Sequence, residues 1–394
     1  MSSAKRLLII SNRYPVGPDD TASPFVYDFR RALESQNIEI DVVTPYYKAI
    51  SDNNEYLDAS VHRFRWSDGL KVISQLPFYN PATFFKIRKF FKAGLKTGEE
   101  LLKKNKYNGI IALWVAPSGY IACRLSRKFK VPYAVWALGS DINRWATLPL
   151  IGHIILKVLK KADIRFADGY KLATKVEALS RKQCDFIPSY HAIGIDKGNF
   201  KSSEEYGKYF ISIGRIEKSK GVLDLLEAFR IFIKDNPEWR LYYVGTGRVE
   251  NELKRRIKTY KLGDSVKYLG YLHRRGINRL LVNAVAAVIP SHSDSLPLTF
   301  GEAMQANVPV ICSDIGDMPS LIDKYDVGYY YHTGNIKELA LTMNMMAENS
   351  IELSGNCANV LEELDINNSA KMINRWLDSA AGKEAARGAV NANG

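Results

Sequence analysis

Two rounds of short apolar runs alternating with helical segments constrain this chain more than any other feature. In the first round the apolar runs lie at 6–10, 38–43, 110–114 and 133–138, and helical spacing occupies 24–34 and 120–129. The second round has apolar runs at 209–213, 241–244, 266–269, 286–289 and 308–312, with helical segments at 222–234 and 249–260. Such alternation predicts parallel sheets covered by helices, hence an α/β chain with two Rossmann-like domains.

The 394 residues are enough for two domains of ordinary size. We expect an N-terminal domain over 1–195 and a C-terminal domain over 196–367. A C-terminal helix over about 368–382 is expected to pack back on the first domain, with a flexible tail over 383–394. Ligands of such sheets bind beyond the carboxyl ends of the strands, so we expect the site in a cleft between the domains.

Composition narrows the class of partner. The net charge of +13 suits an anionic small molecule, an anionic membrane or nucleic acid. No nucleic-acid recognition motif is visible in the sequence, so no nucleic-acid partner is predicted. The four scattered cysteines predict free thiols in a reducing compartment. The apolar run at 7–10 is too short for a signal peptide, and no run reaches the roughly 20 residues of a membrane helix, so we expect a cytoplasmic protein.

Two cations follow the strand at 209–213. In the segment GRIEKSKG, Arg215 and Lys220 lie between Gly214 and Gly221, which let the backbone turn sharply beside a ligand. Guanidinium and ammonium groups would stabilise the charge that develops on a departing diphosphate. A solvated basic surface turn is the alternative for this segment taken alone.

Two carboxylates flank a predicted helix start. In SHSDSLPLTFGEAM, Asp294 precedes the turn and Glu302 lies one helical turn inside the helix. Leu298 and Thr299 open that helix, so their N–H groups and the helix dipole favour a phosphate, while the carboxylates can accept hydroxyl protons from sugars. The alternative is an acidic helix cap with Glu302 as a partner of the helix dipole.

The two segments together suit a ligand that joins a diphosphate to sugars, which makes a nucleotide-diphosphate sugar the predicted ligand. No metal site and no cofactor are predicted, because cationic side chains and helix amides can take the place of a divalent ion. The Gly245–Thr246–Gly247 segment alone is a weak dinucleotide fingerprint.

Five segments, in order, resemble glycosyltransferase family 4. They are GRIEKSKGVLDLLEAF, YYVGTGRVENEL, VKYLGYL, AAVIPSHSDSLPLTFGEAM and NVPVICSDIGDMPSLI. The resemblance implies the GT-B fold and retention of anomeric configuration. It makes Arg215 and Lys220 the diphosphate-binding pair. Asp294 and Glu302 look like the family's paired acidic residues, with Asp in place of the first Glu.

The resemblance also implies contacts with the rest of the donor. Tyr271 and Leu272 fall where the family's backbone packs on the nucleobase, and Gly245 and Gly247 fall in the loop near the donor. The first carboxylate of the acidic pair contacts the donor sugar in the family, and the second contacts the ribose.

The N-terminal half departs more from the family. WALGSDIN resembles a family segment in which a His stands where this chain has Leu138. Asp141 would remain as a donor-side residue or as a helix cap. The first loop lacks the family's Gly-Gly pair, and Ser23 takes the corresponding position.

Residues 84–106 predict a basic amphipathic helix. Apolar residues on one side include Phe84, Phe90 and Phe91, and lysines crowd the other side. Such a helix could lie on an anionic membrane, or it could pack on the core with a solvated basic face.

These features predict a retaining glycosyltransferase. It would move a sugar from a UDP- or GDP-linked donor to a hydroxyl of a sugar or lipid-linked acceptor, in cell-surface polysaccharide or glycolipid synthesis. It would work in the cytoplasm or at the inner face of the membrane. Two alternatives remain open: a non-catalytic nucleotide-sugar binder, and a nucleotide-sugar epimerase or hydrolase.

Overall fold

The computed structural model describes residues 5–17, 20, 23–48, 58–67, 73, 76, 81–189, 192–194 and 207–392, with the side chains of residues 81 and 381–392 left out. These residues form two compact units. Unit 1 comprises Met1–Ser189 together with Ile366–Gly394, and unit 2 comprises Tyr190–Asp365. The expected boundary at 195/196 lies outside the described residues.

The described strands are β1 (Lys5–Ser11), β2 (Ile38–Pro45), β3 (Val61–Phe64), β4 (Gly109–Leu113), β5 (Tyr133–Ala137), β6 (Ile164–Ala167), β7 (Asp185–Phe186), β8 (Tyr209–Ile213), β9 (Arg240–Val244), β10 (Val266–Tyr268), β11 (Ala286–Ile289), β12 (Val310–Ser313) and β13 (Gly328–Tyr331).

The described α-helices are α1 (Phe25–Glu34), α2 (Pro81–Lys104), α3 (Ser118–Phe129), α4 (Pro149–Lys161), α5 (Tyr170–Ser180), α6 (Val222–Phe232), α7 (Glu250–Thr259), α8 (Arg274–Val282), α9 (Leu298–Gln305), α10 (Met318–Tyr325), α11 (Ile336–Ser354), α12 (Cys357–Glu363) and α13 (Ile366–Ala392). A π-helical turn occupies Asp141–Trp145, and a short 3₁₀ turn occupies Lys218–Lys220.

Each unit contains one parallel sheet. Unit 1 has the strand order β3-β2-β1-β4-β5-β6-β7, and unit 2 has the order β10-β9-β8-β11-β12-β13. The order reverses between β1 and β4 in unit 1 and between β8 and β11 in unit 2. In sheets of this kind, ligands bind where the order reverses, beyond the carboxyl ends of the strands. The loops after β8 and β11 are therefore the place in unit 2 to look for a ligand site.

The apolar face of α2 packs into the core of unit 1. Phe90 is 1% exposed, and its ring packs edge-on against Phe64 and Trp66. Leu101 and Leu102 are also buried in this core. The interpretation of residues 84–106 as a core-packed helix with a basic outer face therefore describes most of α2. Phe84, in the first turn of the helix, is 67% exposed.

Two glycines hold α2 close to α3. A Cβ on Gly94 would stand 2.8 Å from the side chain of Ile121, and one on Gly98 would stand 2.5 Å from that of Leu125. Larger residues at these positions would force the helices apart, so the seam between α2 and α3 depends on the two missing side chains.

The C-terminal helix packs on unit 1, where the sequence placed it. α13 packs against α1, Lys5 forms an ion pair with Asp378 at 2.6 Å, and Ser369 donates to the Pro188 carbonyl at 3.3 Å. The helix runs to Ala392, ten residues beyond the expected end at 382. Four of the residues 383–392 are Ala, the residue with the highest helix propensity.

Among the described residues, none of the helices combines the length and the hydropathy needed to cross a bilayer.

We predict that Phe90→Ala lowers the free energy of unfolding by about 3–5 kcal/mol, because it leaves a cavity beside Phe64 and Trp66. Phe84→Ala is the matched control in the same helix, and it should change stability little because that ring is already in solvent. Urea denaturation of both variants, followed by circular dichroism, makes the comparison. Equal effects of the two substitutions would contradict the placement of α2.

Candidate active site

The loop after β8 turns back on the sheet at Gly221. This residue has φ +63°, and a Cβ there would stand 1.8 Å from the Pro290 carbonyl oxygen. Only glycine accepts both the left-handed backbone and the close approach. The main chain at the end of the loop therefore lies directly against the chain that leaves β11.

The loops after β8 and β11 are joined by further contacts. The N–H of His292 donates to the Ser219 carbonyl at 2.9 Å. Lys220 donates from Nζ to both carboxylate oxygens of Asp294, at 2.7 and 2.6 Å. These two side chains come from sequence positions 74 residues apart, and each is about four-fifths buried. The structure thus brings together one predicted cation and one predicted carboxylate where the strand order reverses.

Arg215 lies at the start of the same loop. Its side chain is 66% exposed, and Nη1 donates to Glu217 Oε2 at 2.9 Å. An exposed pair of this kind contributes little to stability, so the guanidinium can exchange Glu217 for a ligand at small cost.

Helix α9 begins next to these loops. Pro297 precedes it in an extended conformation, and Thr299 Oγ1 donates to the Ile213 carbonyl at the end of β8, at 3.3 Å. Leu298 and Thr299 are half-buried and form the first turn, as the sequence predicted. Their N–H groups have no partner within the helix, so they and the helix dipole favour an anion.

Glu302 lies in the second turn of α9 and is 8% exposed. Arg274, at the start of α8, donates from Nη1 to Glu302 Oε1 at 3.1 Å. Arg274 was not predicted as a site residue, because nothing in the sequence connects it with a carboxylate 28 positions away. The pair orients the carboxylate and partly neutralises it.

The loops after β9 and β10 complete the edge of the sheet. Gly245 has φ +128°, and a Cβ there would stand 1.9 Å from the Gly214 carbonyl oxygen. The Gly245 N–H donates to the Gly270 carbonyl at 2.7 Å. A Cβ on Gly247 would stand 2.2 Å from the Ile216 carbonyl oxygen. These predicted donor-loop glycines are thus needed for packing against the loop after β8.

Tyr271 and Leu272 lie in the loop after β10, which leads into α8. The Tyr271 ring is 43% exposed and lies edge-on to His273 at 5.7 Å between ring centroids, while Leu272 is half-buried. Both lie at the same strand-end edge of unit 2 as the other predicted donor-binding residues.

The remaining two predicted residues belong to unit 1. Ser23 is half-buried with φ +65°, directly before α1, and its carbonyl accepts from the Val26 N–H at 3.2 Å. It therefore lies in the turn that starts the helix. No side-chain cap is made by Pro24, the residue at the helix start.

Asp141 is fully buried. Its carboxylate accepts from the N–H groups of Val115 at 2.7 Å, Ile142 at 3.1 Å and Leu138 at 3.2 Å. These bonds tie together the chains that leave β4 and β5, and they occupy both oxygens. Of the two roles that the sequence suggested, the bond with the Ile142 N–H resembles that of a helix cap, and the donor-side role stays a prediction.

The charge of Asp141 depends on burial. Desolvation raises the pKa of its carboxyl to about 6, against the opposing effect of the main-chain N–H bonds. The folded protein therefore binds this proton more tightly than the unfolded chain does.

The described residues contain no group of three or more His, Cys, Asp and Glu side chains that could hold a metal ion. The four cysteines are free thiols, and Cys184, Cys312 and Cys357 are buried.

The family model described as glycosyl transferases group 1 matches residues 196–363, which cover most of unit 2. A Bacillus subtilis (strain 168) protein, provisionally named a teichuronic acid biosynthesis glycosyltransferase (TuaC), is 27% identical over 60% of this chain and 60% of its own length. The N-acetyl-alpha-D-glucosaminyl L-malate synthase of Bacillus anthracis is 26% identical over 51% of this chain and 55% of its own length. The chain thus spans little more than half the length of these curated relatives.

Solved structures match over nearly the whole chain. Sucrose-phosphate synthase from Thermosynechococcus elongatus has a TM-score of 0.76 at 16% identity, covering 95% of this chain and 100% of that structure. Anabaena HepE, solved in complex with UDP and glucose, has a TM-score of 0.72 at 15% identity, with 95% and 100% covered.

The chain has the fold of the GT-B glycosyltransferases, as the sequence predicted. Its residues 196–363 match the family model of the group 1 glycosyl transferases, so the resemblance of the sequence is strongest in unit 2. The narrower placement in family 4 stays a prediction.

We predict that Gly221→Ala weakens nucleotide binding by about tenfold or more, because a Cβ against the Pro290 carbonyl forces apart the loops that carry Lys220 and Asp294. Gly263→Ala is the matched control, since a Cβ there meets nothing within 4 Å. Calorimetric titration with UDP and GDP compares the two variants with the wild type. Unchanged binding by Gly221→Ala would show that the site does not depend on this contact.

We predict that Asp141→Asn destabilises unit 1 by about 1–3 kcal/mol, because an amide NH₂ replaces one acceptor and leaves a buried N–H unsatisfied. The folded pKa is raised, so between about pH 4 and pH 6 the folded state holds more protons than the unfolded state. The wild type's stability relative to the variant should therefore fall as pH rises over that range and level off above it.

Urea titrations at several pH values measure this difference. Glu39→Gln, at an exposed carboxyl in the same unit, is the control for the loss of one negative charge from unit 1. A flat difference for Asp141→Asn from pH 4 to pH 7 would contradict the assignment.

Proposed function

We propose that this chain is a retaining glycosyltransferase that moves a sugar from a UDP- or GDP-linked donor to an acceptor hydroxyl. The observation that carries the proposal is the meeting of Lys220 with Asp294 where the strand order of unit 2 reverses, beside Arg215 and the start of α9. A diphosphate needs cations and N–H donors, and a sugar needs carboxylates. This edge of the sheet offers both within one unit.

Donor binding in this proposal exchanges the partners of the two cations. In the structure, Lys220 pairs with Asp294 and Arg215 pairs with Glu217. A diphosphate carries more negative charge than a carboxylate, so it can draw both cations towards its oxygens. Asp294 is then released to accept hydroxyl protons from the donor sugar, and Glu302, held by Arg274, takes the ribose hydroxyls.

The proposed chemistry is electrostatic. As the bond from the anomeric carbon to the diphosphate oxygen lengthens, negative charge grows on the leaving group, and Arg215, Lys220 and the N–H groups of α9 stabilise it. The acceptor oxygen attacks the same face of the sugar and passes its proton to the departing phosphate, which gives retention. We propose that these groups act without a metal ion, and activity measured with EDTA present tests that part.

The proposed acceptor is a sugar or a lipid-linked sugar, in cell-surface polysaccharide or glycolipid synthesis. The names of two relatives support this class, since one is named for teichuronic acid biosynthesis and one, from Erwinia amylovora, for amylovoran biosynthesis. We extend the proposal to a cytoplasmic protein attached to the inner face of the membrane, where a lipid-linked acceptor would be found.

A non-catalytic nucleotide-sugar binder is the second candidate. It is favoured by Leu138, which stands where the family has a His, and by the shorter Asp294. Such a protein would bind nucleotide and release neither free sugar nor glycosylated product. A hydrolase or epimerase would instead convert the donor without an acceptor.

We predict that Arg215→Ala and Lys220→Ala each reduce the transfer rate by about a hundredfold or more, because each removes charge that stabilises the leaving group. Lys218→Ala is the matched control, an exposed lysine in the same loop. Titration with UDP, GDP and ADP, with EDTA present, first selects the nucleotide. Donor consumption and product formation are then followed with that nucleotide's sugars.

Near-wild-type rates for Arg215→Ala and Lys220→Ala would overturn the assigned roles. Nucleotide binding without donor consumption would establish the non-catalytic candidate. Free sugar released at the same rate with and without an acceptor would establish a hydrolase.

A further inference from the structure

Two helices of unit 1 begin with large apolar side chains in solvent. Phe84 and Phe85, in the first turn of α2, are 67% and 68% exposed, and their rings contact each other edge-on. Leu150 and Ile154, in the first turns of α4, are 84% and 40% exposed. Large apolar side chains grouped on a surface mark an interaction site more often than scattered ones do.

These first turns lie along one edge of the sheet. Helix α2 leads into β4, α3 connects β4 to β5, and α4 connects β5 to β6. Each helix therefore runs antiparallel to the parallel strands and begins at their carboxyl ends. Since α2 packs on α3 and α3 packs on α4, the axes of α2 and α4 lie about 20 Å apart.

The outer faces of the same three helices are basic. Together α2, α3 and α4 contain thirteen Lys and Arg residues, all exposed, against two acidic residues, Glu99 and Glu100. Both glutamates lie in the second half of α2, away from its exposed phenylalanines. Helices α3 and α4 contain no acidic residue.

Each helix changes from apolar to basic along its outer face. In α4, Leu150 and Ile154 are followed at helical spacing by Lys157 and Lys161. In α2, Phe84 and Phe85 are followed by Arg88 and Lys89. We call the exposed residues Phe84, Phe85, Leu150 and Ile154, with the Lys and Arg residues of α2, α3 and α4, the helix-end surface.

We propose that the helix-end surface docks on an anionic lipid bilayer. Phe and Leu side chains enter the boundary between headgroups and acyl chains, while the adjacent lysines and arginines contact anionic headgroups. This differs from the arrangement suggested by the sequence, in which a whole face of residues 84–106 would lie on the membrane. Three apolar residues of α2 are buried in the core of unit 1, namely Phe90, Leu101 and Leu102. Helix α2 therefore contributes only its first turn and its basic outer face to the helix-end surface.

The positive charge of the helix-end surface favours an anionic bilayer over a second copy of the chain as its partner. A symmetric contact through this surface would place two sets of exposed Lys and Arg against each other, and few acidic residues are there to pair with them. An anionic bilayer supplies both the apolar layer and the opposite charge.

Docking in this way would bring the carboxyl ends of the strands of unit 1 close to the membrane. This inference deepens the membrane part of the proposed function, and it rests on that function only for the identity of the acceptor. A lipid-linked acceptor would then meet the protein at the edge where the sheet of unit 1 offers its ligand-binding loops.

Vesicle co-sedimentation with the full chain tests the proposal, with vesicles of phosphatidylcholine alone or with about 30% phosphatidylglycerol. The wild type should bind only the anionic vesicles and should be released by high salt. The variant Phe84→Ser/Phe85→Ser/Leu150→Ser should bind about tenfold more weakly or worse.

Two matched variants serve as controls. Leu341→Ser/Ile351→Ser removes apolar side chains of unit 2 that are 64% and 90% exposed, and it should bind vesicles like the wild type. Arg88→Ala/Lys89→Ala should weaken binding, whereas Arg255→Ala/Lys258→Ala, two exposed basic residues of α7, should not. UDP and GDP titrations in solution should be the same for every variant.

No binding of the wild type to anionic vesicles would overturn the proposal, as would equal losses in the test and control variants. A change from dimer to monomer in the triple serine variant, without vesicle binding, would instead establish a second copy as the partner. Vesicle binding without any nucleotide binding would overturn the proposed function, but the proposal that the helix-end surface docks on a bilayer would remain valid.

Discussion

The contact of Gly221 with the Pro290 carbonyl is the constraint on which the candidate site depends. A side chain at 221 has no room, so the loop after β8 can lie on the chain that leaves β11. The His292 N–H then reaches Ser219, and Lys220 reaches both oxygens of Asp294. Thr299 ties the start of α9 to the end of β8. A position without a side chain therefore sets the positions of the side chains that carry the proposed chemistry.

Both predicted carboxylates of the site are paired with cations. Lys220 pairs with Asp294 and Arg274 pairs with Glu302, so each of the two carboxylates has a cation as its partner within unit 2. Asp141 has a different part in unit 1, where it satisfies N–H groups and has no exposed surface. A carboxylate in a matching sequence segment can thus bond with several N–H groups of its own backbone. A residue that matches a family motif can therefore have a structural role, a ligand-binding role or both, and the motif alone does not distinguish these.

The strands that the sequence predicted best are those with continuous apolar runs. Tyr209–Ile213 and Ala286–Ile289 match to the residue, because central parallel strands are buried on both faces. The edge strand β3 was missed, since its sequence VHRF contains His and Arg and is mostly half-buried. Helix α8 was missed as well, because Arg274, Arg275 and Gly276 open it and its apolar stripe of Ile277, Leu280 and Leu281 spans little more than one turn.

Helical periodicity also has a limit that α2 makes plain. It placed Phe84 and Phe90 on one side of the helix, yet Phe90 is buried and Phe84 is in solvent. Spacing states which side chains share a face. It does not predict which part of that face is buried against neighbouring elements and which part is exposed to solvent.

The return of α13 to unit 1 has a consequence for the order in which the chain can fold. Trp376 and Leu377 of α13 lie beside Gly109 at the start of β4, so unit 1 takes side chains from both ends of the sequence. All of unit 2 is translated between them. At ribosomal speeds, the time needed to translate unit 2 leaves the apolar surface of unit 1 that α13 later covers exposed for about 10–40 s. Unit 2 is continuous in sequence and can complete its core first, although it begins later.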